Sequence, residues 1–446
     1  MKTVASAPTP EVPGDWEVIS LGEECRVENG CPFESIYFNG HAGLPLVRVR
    51  DVNSGVSKTL YSGPYEDKYL VANGDLLVGM DGEFHVRKWT AGTALLNQRV
   101  CRLVPNTNRL DKGFLDYAIR APLSHIEAHT PYTTVKHISA RQILAIQLPC
   151  PPLEEQRQIS TVLSAVQRAI ERQEQLIALT TELKKALMHK LFTEGTRGEP
   201  LKQTEIGTLP QSWEPTPLGA CCVIVSSTMS YTDFARSAES LDGDARLCMA
   251  VKVSDMNLPG NEAMFVTSKA TKRLPATTAM RKLAPPNAVV FPKRGAAIAT
   301  NKKRMTTAWT VLDPNLIALC AKVALDPRFL FYWSQMFDLR TITDPGPTPQ
   351  LNKKDLIPVK LPLPSTLEEQ QLIAGAIEAV VAKELLQHRT LDSLKELFRM
   401  LTHQLMTAQI RVHDLDLSAL NDAVQEPVGA HMMFAECNLA YAQVIG

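Results

Sequence analysis

Two segments of the chain combine glycines with side chains that donate hydrogen bonds, accept them or stack on bases. They read GMDGEFHVRKW (79–89) and FPKRGAAIATNKKR (291–304). Glycine lets a backbone approach a ligand closely, and basic, amide and aromatic side chains suit phosphate oxygens and base edges. We interpret both segments as DNA-binding loops, with a solvated charged turn as the alternative for either loop alone. The candidates are Asp81, Phe84, His85, Arg87, Lys88, Trp89, Lys293, Arg294, Asn301, Lys302, Lys303 and Arg304.

A polar turn follows each loop further along the chain, TPYTTVKHIS (130–139) and PGPTPQLNKK (345–354). Hydroxyl, amide and ammonium groups in such turns can reach phosphate oxygens. An ordinary polar turn before a strand explains the same residues equally well. The candidates are Thr134, Lys136, Gln350 and Lys353.

Basic residues also stand beside acidic ones near the end of an early predicted strand in each half. Arg48 and Arg50 lie next to Asp51, and Lys252 lies close to Asp255. An ion pair at the strand end explains these residues at least as well as a DNA contact does.

Charge supports a nucleic-acid partner more strongly for the second half of the chain than for the first. The whole chain has 47 basic and 47 acidic residues, so the total is uninformative. Residues 210–364 hold 19 Lys and Arg against 12 Asp and Glu, whereas residues 13–150 hold 14 against 15. Residues 210–364 are therefore predicted to attract DNA through their net positive charge. Residues 13–150 have no net positive charge, so any attraction there must come from a local cluster of basic side chains.

The two loops occupy the same place in a repeated unit. LPCPPLEEQRQI begins at Leu148, and LPLPSTLEEQQLI begins at Leu361. DWEVISLG (15–22) similarly matches SWEPTPLG (212–219), and other short blocks follow in the same order. We infer one unit of about 200 residues, present twice, with a globular part followed by a long helix.

The helix of each repeat is predicted from its start and its periodicity. Acidic residues follow the prolines, which suits a first helical turn, and Ser365 with Glu368 matches a capping box. Apolar residues then recur at alternating steps of four and three, the spacing of a coiled-coil seam, with polar interruptions. The stripes are Ile159, Leu163, Val166, Ile170, Ile177, Leu187 and Leu191, then Ile373, Ile377, Val380, Leu391, Leu394, Phe398, Leu401 and Leu405.

Each helix should run for about 40 residues, or roughly 60 Å, which exceeds the size of an ordinary globular core. Two helices with matching seams are expected to pair, and they should be antiparallel because the chain returns between them through a whole domain. The alternative is that each helix packs only on its own domain.

The globular parts predict a mixed α/β or α+β fold. Short β-like runs are separated by glycine, proline and asparagine, and helical patches follow near 112–128 and 326–341. The predicted segments are 1–150, a first domain; 151–194, a first long helix; 195–211, a linker; 212–364, a second domain; 365–410, a second long helix; and 411–446, a tail.

Motifs of several enzyme classes are missing. The sequence has no G-x-x-x-x-G-K-[ST], no N-P-P-[YF]-like tetrapeptide, no glycine-rich dinucleotide or methyl-donor loop and no H-E-x-x-H. No Cys/His metal spacing is found, so neither a catalytic residue nor a metal site is predicted. Without a signal peptide or a long apolar run, the nine cysteines are expected to be reduced and the protein cytoplasmic.

The motifs together resemble the specificity subunits of Type I restriction–modification enzymes. They are W-x-x-x-x-L-G at each domain start, GDLLVGMDG in mid-domain and LPxPxLEEQRxI before a long helix. The resemblance covers about 13–410, and the doubled junction is its most specific part.

The resemblance implies two target-recognition domains, each reading one half of a split DNA sequence, related as a pseudo-two-fold repeat. Two long antiparallel helices would form a coiled-coil spacer that binds two methyltransferase (modification) subunits, and restriction subunits would join them. S-adenosylmethionine, ATP and Mg are then expected on the partner subunits and no cofactor on this chain. The spacer and partner candidates are Leu153, Glu154, Glu155, Gln156, Ile159, Leu187, Leu191, Leu367, Glu368, Glu369, Gln370, Ile373, Leu401 and Leu405.

Two functions from other classes compete with this interpretation. A stand-alone methyltransferase–nuclease fusion is disfavoured by the missing motifs. A coiled-coil scaffold without DNA binding is disfavoured by the positive charge of residues 210–364.

Overall fold

The structure, a computed structural model, describes residues 12–130, 136–226, 229–240, 243–343, 346 and 349–415. These residues form two compact units. Unit 1 contains the residues up to Glu174 together with those from Arg389 onward, and unit 2 contains Gln175–His388. Both units mix helices and strands, as predicted.

In unit 1, strand pairing is mainly antiparallel, and the strand before the long helix returns to the first strand of the unit. Val18 on β1 pairs with Pro149 on β11, and β10 lies between β2 and β7. The strands are β1 (Glu17–Ser20), β2 (Cys25–Asn29), β3 (Phe38–Asn39), β4 (Leu44–Val47), β5 (Leu60–Tyr61), β6 (Leu70–Val71), β7 (Leu76–Gly79), β8 (Val86–Lys88), β9 (Ala94–Leu96), β10 (Val100–Pro105) and β11 (Gln147–Cys150). The helices are α1 (Leu21–Glu24), α2 (Val49–Ser54), α3 (Lys112–Ala118), α4 (Arg120–His129), α5 (Ala140–Leu144) and the start of α6 (Leu153–Glu194).

Unit 2 repeats this order of pairings. Pro215 on β14 pairs with Pro362 on β23, and β22 lies between β15 and β19. The strands are β12 (Leu201–Thr204), β13 (Gly207–Pro210), β14 (Glu214–Pro217), β15 (Cys222–Ser226), β16 (Arg246–Val251), β17 (Met264–Phe265), β18 (Ala270–Leu274), β19 (Val289–Pro292), β20 (Arg304–Thr306), β21 (Trp309–Leu312), β22 (Leu316–Ala321) and β23 (Lys360–Leu363). The helices are α7 (Leu218–Cys221), α8 (Tyr231–Arg236), α9 (Ala276–Lys282), α10 (Pro327–Met336), α11 (Lys353–Leu356) and α12 (Leu367–Met406).

One strand in each unit separates two apolar cores. Leu76 and Val78 on β7 pack into one core, whereas Leu77 packs into another. Val289 and Val290 on β19 divide in the same way. Successive side chains of a strand point to opposite faces, so a strand buried on both sides has a continuous apolar sequence. Each of these strands leads directly into one of the candidate loops.

The two long helices begin with the predicted acidic turn and contain 42 and 40 residues. The cap of α12 differs from the prediction. Thr366 Oγ1 accepts from the Glu369 backbone N–H at 3.4 Å, so Thr366 rather than Ser365 provides the cap. The helix begins one residue later than the capping-box pattern indicated.

Contacts within each unit place a segment of α6 beside a segment of α12. In unit 1, Ile159 and Leu405 share a core, and Lys395 Nζ lies 2.8 Å from Glu174 Oε1. In unit 2, Glu384 accepts hydrogen bonds from Thr181, at 2.6 Å, and from Lys184. Lys184 and Glu384, two of the polar residues that interrupt the predicted seam, are therefore partners on facing helix segments.

The predicted linker contains a β-hairpin. Strands β12 and β13 pair from Leu201 with Pro210 to Thr204 with Gly207. Gly207 has a φ of 111°, a backbone conformation that favours glycine and permits the tight turn.

Candidate nucleic-acid interface

The first candidate loop is fixed against the polar turn that follows it in the chain. Gly82 N donates to Lys136 O at 2.9 Å, and Ile138 N donates to Met80 O at 2.9 Å. Between these two bonds, Asp81 lies opposite His137. The backbone thus holds Asp81 at the exposed end of β7.

The second candidate loop is fixed by two backbone hydrogen bonds equivalent to those of the first loop. Gly295 N donates to Pro349 O at 2.8 Å, and Leu351 N donates to Lys293 O at 2.9 Å. Between them, Arg294 lies opposite Gln350. The two loops therefore share a backbone frame but carry a carboxylate in unit 1 and a guanidinium in unit 2.

The side chain of Asp81 lies at the edge of an open pocket of about 280 Å³ in unit 1. His137 Nδ1 lies 2.6 Å from one carboxylate oxygen of Asp81, and Arg99 Nε lies 3.4 Å from the other. Asn97 is buried, and its Oδ1 has no hydrogen-bond partner among the residues that the structure describes. The lining consists of Arg48, Val49, Arg50, Asp81, Asn97, Gln98 and Arg99.

Asn97 and Arg99 line this pocket, but neither was predicted as a DNA-binding residue. Arg99 adopts a positive φ of 69° in the turn before β10, and this conformation brings its side chain to Asp81. A single sequence gives no signal for a positive φ at an arginine. Arg48 and Arg50 were weak candidates, and the backbone N–H of Arg48 donates to Asp51 at 3.0 Å, which makes Asp51 a helix-capping residue.

Two aromatic candidates of the first loop are core residues, which corrects the sequence-based assignment. Trp89 is fully buried, and its indole N–H donates to Gly92 O at 2.7 Å. Phe84 is also buried, so neither ring is available to stack on a base. Phe84 packs into the core that contains Val78, whereas Trp89 packs into the core that contains Leu77.

The polar candidates of the first loop differ in whether their side chains are free to contact DNA. Arg87 Nε donates to Val52 O at 2.6 Å and thereby ties the loop to α2. His85 lies 2.7 Å from Glu83 and is partly exposed, and Lys88 is exposed. Lys88 and His85 therefore remain candidates, whereas Arg87 serves the fold.

Two of the three consecutive cations in the second loop are buried, which corrects the prediction for them. Lys303 is 1% exposed and donates to Asn301 Oδ1 at 2.7 Å and to Phe337 O. Arg304 donates to Met256 O at 3.0 Å. Burial lowers the pKa of the Lys303 ammonium to about 8. Of the three cations, only Lys302, which donates to Asn257, stays partly exposed.

Asn301 is also a structural residue, because its amide N–H donates to Phe337 O at 3.2 Å and its Oδ1 accepts from Leu339 N. Arg294 and Lys353 are exposed, whereas Lys293 and Gln350 are half-buried. Burial also lowers the pKa of Lys293. In unit 1, Lys136 Nζ donates to Glu127 O at 2.7 Å, and Thr134 lies outside the described residues.

The glutamines of the doubled LEEQ motif join each long helix to its domain. Gln156 Oε1 accepts from Asp111 N at 2.8 Å, and Gln370 Oε1 accepts from Asp326 N at 2.8 Å. Both aspartates cap the helix that follows them. Both glutamines are buried, so they stabilise the junction and are not available to a partner.

The second glutamate of each motif lies beside an arginine that follows the end of the other long helix. The arginine is hydrogen-bonded to Glu155 in unit 1 and forms a looser ion pair with Glu369 in unit 2. Arg411 donates to both oxygens of Glu155, at 2.8 and 2.7 Å, and Arg197 Nε lies 3.4 Å from Glu369. These hydrogen bonds raise the pKa of Arg411 above its ordinary value. Arg197 and Arg411 are separated by 214 residues, which is also the separation of the two LEEQ motifs. This equal spacing is visible in the sequence and could have identified both arginines.

The remaining spacer candidates divide into core and surface residues. Ile159, Leu191, Ile373 and Leu405 are buried, and Leu187 and Leu401 are partly buried. Glu154, Leu367 and Glu368 are exposed, and Leu153 is partly exposed. Glu154, Leu367 and Glu368 are therefore the spacer candidates most accessible to another protein.

Within the described ranges, no cluster of three or more His, Cys, Asp or Glu side chains is arranged to hold a metal ion. None of the helices in those ranges is long and apolar enough to cross a membrane.

Comparison with known proteins connects this architecture to DNA recognition. Residues 13–181 match the model of the Type I restriction modification DNA specificity domain. The chain is similar to DNA-specificity subunits beyond that segment as well. It is 29% identical over 392 residues to the Type I restriction enzyme EcoBI specificity subunit of Escherichia coli, covering 82% of this chain and 79% of that protein.

A second relative matches nearly the whole chain. The MjaVIII specificity subunit of Methanocaldococcus jannaschii is 22% identical over 420 residues, covering 91% of this chain and 95% of that protein. The S subunit of a Type I system from M. genitalium shares the fold, with a TM-score of 0.58 at 15% identity over 89% of this chain and 99% of that one. The chain is therefore similar, over most of its length, to DNA-specificity subunits of Type I restriction–modification systems.

Proposed function

We propose that the chain reads a two-part DNA target, with the domain at 1–150 on one half-site and the domain at 212–364 on the other. One observation carries the proposal: the same loop frame is built twice with different side chains, Asp81 opposite His137 and Arg294 opposite Gln350. A shared frame with different donors and acceptors suits two domains that read different bases with one geometry.

The DNA contacts are assigned to the candidates whose side chains are accessible. The excess of basic residues in 210–364 supports phosphate attraction by the second domain. In the first domain, the pocket arginines provide a local positive charge. The retained candidates are Asp81, His85, Lys88, Lys293, Arg294, Lys302, Gln350 and Lys353.

The long helices at 151–194 and 365–410 form the spacer between the half-sites and run antiparallel as a coiled coil. The pair formed by Glu174 and Lys395 in unit 1 and the bonds to Glu384 in unit 2 support this pairing. The recurring junctions around Gln156 and Gln370 support a pseudo-two-fold repeat.

The spacer also recruits the partner subunits, two methyltransferase subunits and then restriction subunits. Leu179, Leu183, Leu385 and Leu386 are each about half exposed or more, and exposed apolar side chains favour a protein partner. S-adenosylmethionine, ATP and Mg are assigned to those partners. Segment 411–446 lies mostly outside the described residues, and no role is assigned to it.

A selection experiment tests the proposal directly. The full chain with the modification subunits of the same system is incubated with randomised duplex DNA, and bound sequences are determined at several salt concentrations. We expect two short motifs separated by a constant gap, with affinity that falls as salt rises. Replacing residues 13–150 with the equivalent domain of another specificity subunit should change one motif and leave the other.

Three outcomes would overturn the proposal. One continuous motif would contradict a two-part target, and the absence of any sequence preference would favour the scaffold alternative. Binding of a methyl donor by the chain alone would favour the fusion enzyme.

A further inference from the structure

The pocket at the end of β7 and the equivalent position after β19 differ in a way that predicts which bases they contact. Asp81 and Arg294 stand at the same place in the shared frame, each between the same two backbone hydrogen bonds. The backbone therefore places the two side chains at equivalent positions, and the type of side chain decides whether the position accepts or donates hydrogen bonds.

In unit 1, an acceptor and a donor lie side by side. Asp81 presents a carboxylate, and Arg99 presents a guanidinium whose Nε is 3.4 Å away. Both side chains remain partly exposed, at 28% and 55%. The major-groove edge of a C·G pair offers the complementary pattern, the cytosine amino group beside guanine O6 and N7.

The floor of the pocket also points to a polar ligand. Asn97 is 7% exposed, and its Oδ1 lacks a hydrogen-bond partner in the described part of the chain. Leaving such a group unpaired is unfavourable, so a ligand that donates a hydrogen bond to it would be favoured. Arg48 and Arg50 line the rim, where they can reach the neighbouring phosphates.

In unit 2, the same position offers only donors. Arg294 is exposed, and its side chain forms no hydrogen bond or ion pair with the residues described by the structure. Arginine in the major groove pairs with guanine O6 and N7 through two hydrogen bonds.

We propose that Asp81 and Arg294 are equivalent base-reading residues of opposite character: Asp81, together with Arg99, contacts a C·G pair through the cytosine amino group, and Arg294 contacts a guanine in the other half-site. This inference rests on the proposed function and names the chemistry of its two sites.

The test compares single variants of the full chain, with its modification subunits, by selection and by binding to single-base variants of the preferred site. Asp81→Ala should reduce discrimination at one C·G position by roughly 5- to 150-fold, the range of one good base contact. Asp81→Asn should shift the preference at that position toward A·T, since an amide pairs with adenine. Arg294→Ala should reduce discrimination at one guanine of the other half-site by a similar factor.

Matched controls separate base reading from a general effect of charge. Glu83 lies in the same loop as Asp81 and also contacts a histidine, His85 at 2.7 Å, but it does not line the pocket. Glu83→Ala should leave discrimination unchanged. For Arg294, the control is Arg340→Ala, which removes an exposed arginine that is paired with Asp338.

The inference is overturned if Asp81→Ala and Glu83→Ala change binding equally, or if Asp81→Ala relaxes an A·T position. It is also overturned if Asp81→Ala and Arg294→Ala act on the same half-site, or if Asp81→Asn and Arg294→Ala leave discrimination unchanged. In all these cases the wild-type chain still selects two motifs. If the wild-type chain selects no motif, the proposed function itself fails.

Discussion

The junctions of the two units use the same motif but differ in how completely its polar atoms are satisfied. In unit 1, Glu155 accepts from Arg411 through both oxygens and from the indole N–H of Trp16 at 3.2 Å. In unit 2, Glu369 accepts from Thr196, while its other oxygen has no hydrogen-bond partner in the described chain. Trp213 is fully buried, and its indole N–H is likewise unpaired there.

The repeated sequence therefore specifies the backbone of the junction and its glutamine contact more strictly than the hydrogen bonds of the glutamate. The buried glutamine contact is the same in both units, at 2.8 Å to the backbone N–H of the capping aspartate. The glutamate network differs because it depends on residues from distant parts of the chain, such as Arg411 with Glu155 and Arg197 with Glu369. Substitutions at matched positions can therefore measure the difference between the two junctions.

The largest difference is expected between Glu155→Ala and Glu369→Ala. Removing Glu155 leaves the Trp16 indole N–H without its acceptor. It also leaves Arg411 with Asp15, which is 53% exposed, as its remaining partner. Because part of the positive charge stays compensated, the expected cost is about 3 kcal/mol, the lower end for breaking a buried ion pair.

Removing Glu369 should cost about 1–2 kcal/mol, because Arg197 lies farther away and is 43% exposed to solvent screening. Urea unfolding of the full chain, with hydrogen exchange to locate the change, measures both. Equal losses would show that the two networks are equivalent.

The glutamines should behave alike, in contrast to the glutamates. Gln156→Ala and Gln370→Ala each leave a buried backbone N–H without its acceptor, at a cost of about 1–3 kcal/mol. The exposed residues Glu154 and Glu368 provide controls, and their replacement by alanine should change the free energy of unfolding by less than about 0.5 kcal/mol. A loss at one glutamine only would contradict the shared junction.

Much of this frame was predictable because it depends on local, repeated sequence. The prolines, the acidic first turns and the apolar periodicity predicted both long helices, although the second ends at Met406 rather than at the predicted 410. The short apolar runs before Asp81 and Arg294 predicted β-strands, and the structure shows that both strands are buried. These features follow from residues close together in the sequence, where hydrogen-bond geometry and periodicity act directly.

The candidate site was less predictable, because exposure depends on tertiary packing. Lys303 resembles a DNA-binding cation in the sequence, but its ammonium is enclosed by Asn301 and the carbonyl of Phe337. Trp89 resembles a stacking residue but fills a core. The pocket around Asp81 needs Arg99 and Asn97 from another turn. No local pattern specifies these contacts.

Lys303 makes the stability of unit 2 dependent on pH. Its pKa in the folded chain, about 8, lies below the ordinary value of 10.5. Between these values the unfolded chain binds more protons, so the free energy of unfolding should rise with pH from about 8 to 10.5. Each pH unit between the two pKa values adds about 1.4 kcal/mol, so the expected gain is up to about 3 kcal/mol. It should be missing from Lys303→Met and present in Lys302→Met, as measured by urea unfolding across this range. A parallel pH profile for wild type and Lys303→Met would contradict the assignment.

The smallest expected effect isolates one hydrogen bond of the junction in unit 1. Trp16→Phe and Trp213→Phe remove the same atoms from buried sites, so the loss of apolar contact should be similar in the two variants. Only Trp16 also loses a hydrogen bond to a carboxylate, whereas Trp213 loses an N–H that has no acceptor among the described residues. A hydrogen bond of this kind contributes about 1 kcal/mol, so Trp16→Phe should be more destabilising than Trp213→Phe by about that amount. In a Glu155→Ala background the difference should disappear, because the acceptor is gone. A difference that persists there would have to come from packing, and the polar contrast between the two junctions would then be wrong.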